Sequence, residues 1–221
     1  MVSAPSPESS PRASRDSRPS VVVLDYGSGN LRSAERALAQ AGATVTVTPD
    51  LDAAARADGL VVPGVGAFAA CMAGLGEARR VIAERVSAGR PVLGICVGMQ
   101  VLFEYGEEHG VVTRGLGILP GGVTRLSAPR VPHMGWNVVH APGDSVLFAG
   151  VEPGARCYFV HSYAATDVDA LTAIGARVAT CVHGGTFVAA VEWGAVSATQ
   201  FHPEKSGAIG AIVLRNWVST L

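Results

Sequence analysis

Gly94-Ile95-Cys96-Val97-Gly98-Met99-Gln100, entered from the apolar run Pro91-Val92-Leu93, decides how the rest of the chain is read. A cysteine stands there between two glycines, where a buried strand over 92–95 gives way to a helix-forming run over 99–105. This is the pattern of a nucleophile elbow, in which the nucleophile sits on a strained strand-to-helix turn and flanking glycines remove the side chains that would crowd it. Such a turn also sets the sulfur at a helix N-terminus, where free amide hydrogens and the helix dipole favour the thiolate, the species that attacks. Read alone, the segment serves equally well for an inert buried cysteine, a very common fate of that residue type.

Outward from the elbow the chain alternates strand and helix. Val21-Val22-Val23-Leu24 is an unbroken β-branched run of the kind found when both faces of a strand are covered. Asp25-Tyr26-Gly27-Ser28-Gly29-Asn30 turns the chain into a helix over 31–41 that Gly42 closes. A strand over 44–48, a short helix over 51–57 and a buried strand over 59–62 follow, then the loop Pro63-Gly64-Val65-Gly66-Ala67-Phe68. A long helix is expected over 69–88, weakened in its middle by Gly74 and Gly76. This alternation implies parallel pairing through right-handed crossovers, hence a single-domain α/β fold with a mostly parallel sheet flanked by helices. Gly-x-Gly at 27–29 lacks the third glycine of a dinucleotide fingerprint, and no acidic residue ends the second strand, so that loop is read as a tight turn.

Past residue 105, β-like runs at 122–126, 136–140, 156–160, 177–183, 186–191 and 195–199 predict antiparallel hairpins that extend the sheet edge in the C-terminal half. Gly184-Gly185 is a two-residue hairpin signal, and 206–220 reads as a helix with Ile209, Ile212, Val213 and Trp217 along one side. Residues 1–20, rich in Ser, Pro and Arg, are expected to be a disordered tail. Its arginines suggest a transit peptide, but Glu8 and Asp16 intrude and no amphipathic stripe forms. The folded domain is therefore placed at 21–221.

Composition narrows the function classes. With 17 basic against 18 acidic residues there is no basic stripe for nucleic acid, and the apolar runs are too short and interrupted to span a bilayer. Four cysteines, Cys71, Cys96, Cys157 and Cys181, include no CxxC, and no histidine pair has zinc-ligand spacing near a cysteine pair. No metal, cofactor or disulfide is expected, and the setting is read as reducing and cytoplasmic.

A thiolate nucleophile needs a base and an orienting acceptor. Gln200-Phe201-His202-Pro203-Glu204-Lys205 offers both compactly. Pro203 confines His202 to extended geometry, in which residues i and i+2 project to the same side, so His202 and Glu204 are expected to act together. Taken in isolation the tripeptide His-Pro-Glu reads as a solvated turn; the elbow gives it meaning.

Gly-Ile-Cys-x-Gly-Met-Gln followed about a hundred residues later by Phe-His-Pro-Glu-Lys-Ser resembles the class I (triad) glutamine amidotransferases. Three further stretches resemble one branch, the glutaminase subunits of imidazole glycerol phosphate synthase: the Pro63–Phe68 loop, His133-Met134-Gly135-Trp136-Asn137, and Tyr158-Phe159-Val160-His161-Ser162-Tyr163. The likeness covers 21–221 and implies a flavodoxin-like sheet. By this resemblance Cys96 is the nucleophile, His202 the proton shuttle and Glu204 its orienting carboxylate. The amides of Val65 and Val97 form the oxyanion hole, with Gly64 and Gly66 easing a peptide rotation beside Val65. Gln100 and the main chain of Ser162 and Tyr163 bind glutamine. His161 is expected to be a buried structural histidine. Val97 in place of the usual leucine, and Cys157 where an aromatic is frequent, are departures that leave the triad untouched.

The resemblance also implies a partner: a cyclase subunit with a (β/α)8 barrel, joined as a heterodimer, that receives ammonia and activates the glutaminase allosterically. Trp136, Asn137, Tyr158 and Lys205 are the candidates for the docking face, with Trp136 as a core residue the plainer alternative. Two other readings remain open at this level. One is an amidotransferase serving a different acceptor, such as chorismate; the other is a non-catalytic α/β scaffold or thiol stress sensor.

Overall fold

The computed structural model describes residues 18–221. The expected tail lies outside the described residues except for its last three, and Ser20 already belongs to the first strand. In chain order the elements are β1 (Ser20–Leu24), α1 (Leu31–Gln40), β2 (Thr44–Thr48), α2 (Leu51–Arg56), β3 (Gly59–Gly64), α3 (Phe68–Leu75), α4 (Ala78–Ser87), β4 (Val92–Cys96) and α5 (Val97–Gln100). Then come β5 (Phe103–Glu108), β6 (Val111–Arg114), β7 (Leu119–Arg125), β8 (His133–Val138), β9 (Arg156–His161) and β10 (Tyr163–Ala165). The chain ends with α6 (Val168–Ala173), β11 (Arg177–His183), β12 (Gly185–Trp193), β13 (Val196–Thr199), a 3-10 turn (Pro203–Lys205) and α7 (Gly207–Val218).

The main sheet has seven strands in the order β11-β12-β13-β4-β3-β1-β2. β2, β1, β3, β4 and β13 run parallel, whereas β12 and β11 add antiparallel strands at one edge, as the C-terminal hairpin pattern predicts. Val21, Val23, Leu60, Val61, Leu93 and Val191 are buried in the core, which explains why these strands read as continuous apolar runs rather than alternations. The C-terminal ends of β3, β4 and β13 come together, since Gly64 pairs with Cys96 and Thr199 with Ile95. The crevice beyond those ends is where ligands gather on an open α/β sheet.

Five local expectations differ from the structure. The helix read over 99–105 is a single turn, α5, because Phe103 is drawn into β5 opposite Leu119 and Tyr105 pairs with Arg114 and Gly122; non-local pairing overrides helical propensity. β5, β6, β7 and β10 thus form a separate four-stranded sheet, and β8 with β9 a two-stranded ribbon, rather than one extended edge. The helix read over 69–88 is two, α3 and α4, broken where Gly76 takes φ 45° and ψ −123°. At 184–185 Gly185 is paired with His183, leaving Gly184 alone at the apex. In α7 the buried side is Gly210, Val213, Leu214, Trp217 and Val218, with Ile209 and Ile212 only half-buried at its margin. Among the described residues no helix is long and apolar enough to cross a membrane.

Candidate active site

Cys96 closes β4 with φ 57° and ψ −115°, a left-handed conformation that costs a non-glycine residue about 1–3 kcal/mol. The surrounding fold imposes it. A β-carbon on Gly98 would lie 1.8 Å from the Val62 carbonyl oxygen, and one on Gly94 would lie 2.7 Å from the Gly98 carbonyl. Only glycines let the chain double back so closely on β3 and β4, which is the elbow expected from the two flanking glycines. The helix dipole invoked from the sequence is much reduced, since α5 is one turn long and its aligned peptides are few.

His202 reaches this sulfur because β13 lies beside β4 and delivers the following residues to the same sheet edge. Its backbone amide donates to Tyr158 O at 3.0 Å, and Ser206 Oγ accepts from the Tyr158 amide at 2.9 Å and donates to His202 O at 2.7 Å. That clamp joins the segment to β9. His202 Nδ1 lies 2.8 Å from Glu204 Oε1, with both side chains buried. The pairing arises differently from the expected extended i, i+2 projection: His202 itself is extended, but residues 203–205 wind into a 3-10 turn that swings the carboxylate back onto the ring. Burial alone opposes charging this imidazole, yet hydrogen bonding and charge interaction with Cys96 and Glu204 outweigh it and raise its pKa to about 9. The charged form of His202 is thus favoured, with its ring on the Glu204 carboxylate and bordering the same cavity as Cys96. Desolvation pushes the buried thiols of Cys157 and Cys181 up, to about 12 and about 11.

A cavity of about 220 Å³ opens over the sulfur, lined by Val65, Cys96, Gln100, Glu108, Tyr163 and His202 among others. It is smaller than the ~300–1,000 Å³ of a drug-sized site and suits a single small metabolite. Clefts of about 470 and 700 Å³ elsewhere contain no cysteine. Gly66, Val97, Ser162 and Lys205 also border the small cavity, so most of the residues singled out from the sequence meet there. Gly64 lies just behind it, at the end of β3 against the backbone of Gly98.

Gln100 is buried rather than on an exposed helix face. Its Nε2 donates to Tyr163 O at 2.8 Å and to Gln200 Oε1 at 2.9 Å, which leaves its own Oε1 to meet a ligand. Val97 opens α5, so its N–H has no intrahelical acceptor. The Val65 N–H, by contrast, donates to Ser28 Oγ at 3.0 Å and is turned from the cavity that its side chain borders. Glu108 escaped the sequence reading. It comes from the end of β5, a strand of which only the first three residues fall in the stretch read as helix, and its carboxylate accepts from the Phe68 amide at 2.9 Å while bordering the cavity.

Trp136 is half exposed and packs edge-on against Tyr158, with ring centroids 6.1 Å apart, which removes its reading as a core residue. Exposed Met134 lies on the same strand, β8, and exposed Val182 on β11. Asn137 instead turns inward: its Nδ2 donates to Val182 O at 2.9 Å and to His133 Nε2 at 3.1 Å. His133 Nδ1 lies 2.9 Å from His161 Nε2, and His161 Nδ1 donates to Tyr163 O at 3.0 Å. Burial first, and then the neighbouring histidines, hold His133 down to about 4 and His161 down to about 3, although the bond to Tyr163 O works the other way for His161.

A family model described as glutamine amidotransferase class-I matches residues 22–219. The imidazole glycerol phosphate synthase subunit HisH of Mycolicibacterium paratuberculosis is 63% identical over 204 residues, covering 91% of this chain and 98% of its own length. Its counterparts of the same name from Nocardia farcinica and Thermobifida fusca are 62% and 58% identical, each over 92% of this chain and 99% and 100% of their own. Among solved structures, the glutaminase domain of Trypanosoma brucei CTPS with bound acivicin superposes with a TM-score of 0.65 at 16% identity, covering 91% of this chain and 93% of that one. PurLQS from Thermotoga maritima does so at 0.64 and 20%, covering 92% and 99%; at these identities both speak to the fold alone. A strained cysteine elbow, an imidazole on a carboxylate and relatives of full length at this identity lead to one conclusion: the chain belongs to the class-I glutamine amidotransferase family, in the group named imidazole glycerol phosphate synthase subunit HisH.

Proposed function

We propose that Cys96, His202 and Glu204 form the triad by which this glutaminase hydrolyses glutamine, and that the ammonia passes directly to a barrel-shaped cyclase subunit bound as a heterodimer. The observation that carries the reading is the buried His202–Glu204 pair at 2.8 Å, whose imidazole borders the same cavity as Cys96. An imidazolium beside the sulfur is the partner that a thiolate requires.

The thiolate attacks the side-chain amide carbon of glutamine, forming a C–S bond and an oxyanion. Val97 N–H stabilises that oxyanion, joined by Val65 N–H once the Gly64–Gly66 peptides rotate; one such donor is worth about 3–4 kcal/mol of barrier. His202 gives its proton to the departing nitrogen, the C–N bond breaks and a thioester remains. His202, now neutral and held in its tautomer by Glu204, takes a proton from water as the oxygen bonds to the acyl carbon; the C–S bond breaks, its electron pair returns to sulfur, and glutamate leaves. Gln100 Oε1 and the Glu108 carboxylate accept from the glutamine ammonium, with the main chain of Ser162 and Tyr163 completing that subsite; their common place in the cavity lining supports this.

Free ammonia released beside water is protonated and lost as a nucleophile, which favours direct transfer. Trp136, Tyr158 and Lys205 supply the docking face; Asn137 holds its strand from within. In the partner the ammonia reacts with the phosphoribulosyl-formimino intermediate of histidine biosynthesis to give imidazole glycerol phosphate and an aminoimidazole carboxamide ribotide. The test is glutamate release by the chain alone and with the cyclase subunit and its nucleotide substrate. Strong stimulation that vanishes in Cys96→Ala supports the proposal; undiminished release by Cys96→Ala refutes it.

A further inference from the structure

Gln200 is 1% exposed, and its side-chain Nε2 points at the Cys96 sulfur from 3.7 Å. Which end of a buried amide faces a neighbour follows from its hydrogen-bond network. Here the network starts from a group with no freedom. The Tyr163 carbonyl can only accept, so the end of Gln100 that faces it, 2.8 Å away, is Nε2. The same Nε2 faces Gln200 at 2.9 Å, so the end of Gln200 met there is its oxygen. Nε2 of Gln200 is thereby directed at Cys96, and among the described residues that sulfur is its one hydrogen-bond acceptor. The backbone is pinned as well, with Gln200 N donating to Ala189 O at 2.8 Å.

A buried amide N–H without a good acceptor is costly. A thiol sulfur accepts weakly, whereas a thiolate accepts as a charged group, roughly twice as strongly as a neutral one. Burial therefore makes this amide favour the charged sulfur.

Resting on the assignment of Cys96 as nucleophile, we infer that Gln200 is a further catalytic residue, an amide donor held in orientation by Tyr163 and Gln100 that stabilises the sulfur whenever it carries negative charge. It serves twice in the cycle. Before attack it holds the thiolate with His202. In thioester breakdown water oxygen bonds to the acyl carbon, the C–S bond breaks, its electron pair goes to sulfur, and His202 takes the water's proton. Gln200 then donates to the leaving sulfur.

The test is the rate of Cys96 alkylation by iodoacetamide across pH, measured on the full chain with and without the cyclase subunit. Gln200→Leu, and the isosteric Gln200→Glu, which fills the same space but sets a carboxylate oxygen against the sulfur, should be alkylated about tenfold more slowly at pH 7. The difference should close at high pH, where the sulfur is ionised regardless. Unchanged alkylation profiles in both variants would overturn the inference and leave Gln200 a packing residue. The contact is also read without any substitution: the Gln200 side-chain 15NH2 resonance should move when Cys96 is alkylated, and a resonance that stays put overturns the inference too. Failure of the underlying assignment looks different, as glutaminase activity that survives in Cys96→Ala whatever residue stands at 200.

Discussion

The hydroxyl of Ser28 holds both polar groups of Val65, accepting from its N–H at 3.0 Å and donating to its carbonyl at 2.9 Å. Cys71 Sγ adds a donor to the same carbonyl at 3.4 Å. The amide assigned to the oxyanion hole is therefore latched to the β1–α1 turn, 37 residues away in the chain.

Releasing Val65 from Ser28 breaks two hydrogen bonds, each with a net worth of about 0.5–1.5 kcal/mol. Ser28→Ala is expected to raise glutamine hydrolysis by the chain alone about fivefold to tenfold and to shrink the stimulation given by the cyclase subunit. A glutaminase assay without partner checks this; unchanged basal activity would show that the latch does not limit the rotation.

Gly98→Ala places a carbon where the Val62 carbonyl oxygen already sits, 1.8 Å from the ideal β-carbon position. Neither backbone segment can yield without opening the β3–β4 pair, so a loss of about 4 kcal/mol or more is expected, read from the denaturant midpoint. A midpoint within error of the parent would mean that the elbow is looser than described.

Glu204→Gln keeps the shape but removes the charge that helps to raise His202. The folded imidazole titrates near 9 against about 6.5 unfolded, so its contribution to stability is complete below pH 6.5 and is lost as pH rises through 9. The parent's stability advantage over the variant should be largest near pH 6.5 and should fade by pH 9 to 10. Glutamine-dependent turnover should drop about 100-fold to 10,000-fold as the imidazole loses its orienting acceptor.

His133 and His161 take protons near 4 and 3 when folded but near 6.5 when unfolded. Between those values the unfolded chain binds more protons, so stability is undiminished above pH 6.5 and falls as pH drops towards 4, by up to about 1.4 kcal/mol per pH unit for each ring. Replacing either ring, as in His133→Gln, should flatten that slope by one proton, measured as the denaturation midpoint against pH.

Cys96→Ala should leave partner binding intact and abolish glutamine-dependent product formation, while ammonium salts still support synthesis by the complex. Co-elution with the cyclase subunit and an ammonia-dependent rate measure the two halves separately.

Much of the site was legible in the chain because its chemistry rests on short local patterns. The glycines at 94 and 98 mark a tight turn at Cys96 through sterics, although that segment alone fits an inert cysteine equally well, and His202 and Glu204 lie two residues apart. Glu108 was not legible, since 99–105 has helical propensity and only pairing with β6 and β7, across the chain, makes Phe103–Glu108 a strand that carries the carboxylate to the cavity. The orientation of Gln200 was hidden for a similar reason: it depends on a carbonyl at 163 and an amide at 100.

The sequence by itself determined the α/β class, the parallel strands with their buried apolar runs, the glycine-flanked turn at Cys96 and the closeness of His202 to Glu204 along the chain, because each arises from residue type at short spacing, whereas a 3-10 turn decided how that imidazole and carboxylate meet. Tertiary structure alone decided which groups face the sulfur, that Val65 is latched by Ser28, that Trp136 is exposed while Asn137 turns inward, and where long helical patterns break. Those outcomes depend on which distant backbones come within hydrogen-bonding reach, and distance in space is set by packing rather than by position along the chain.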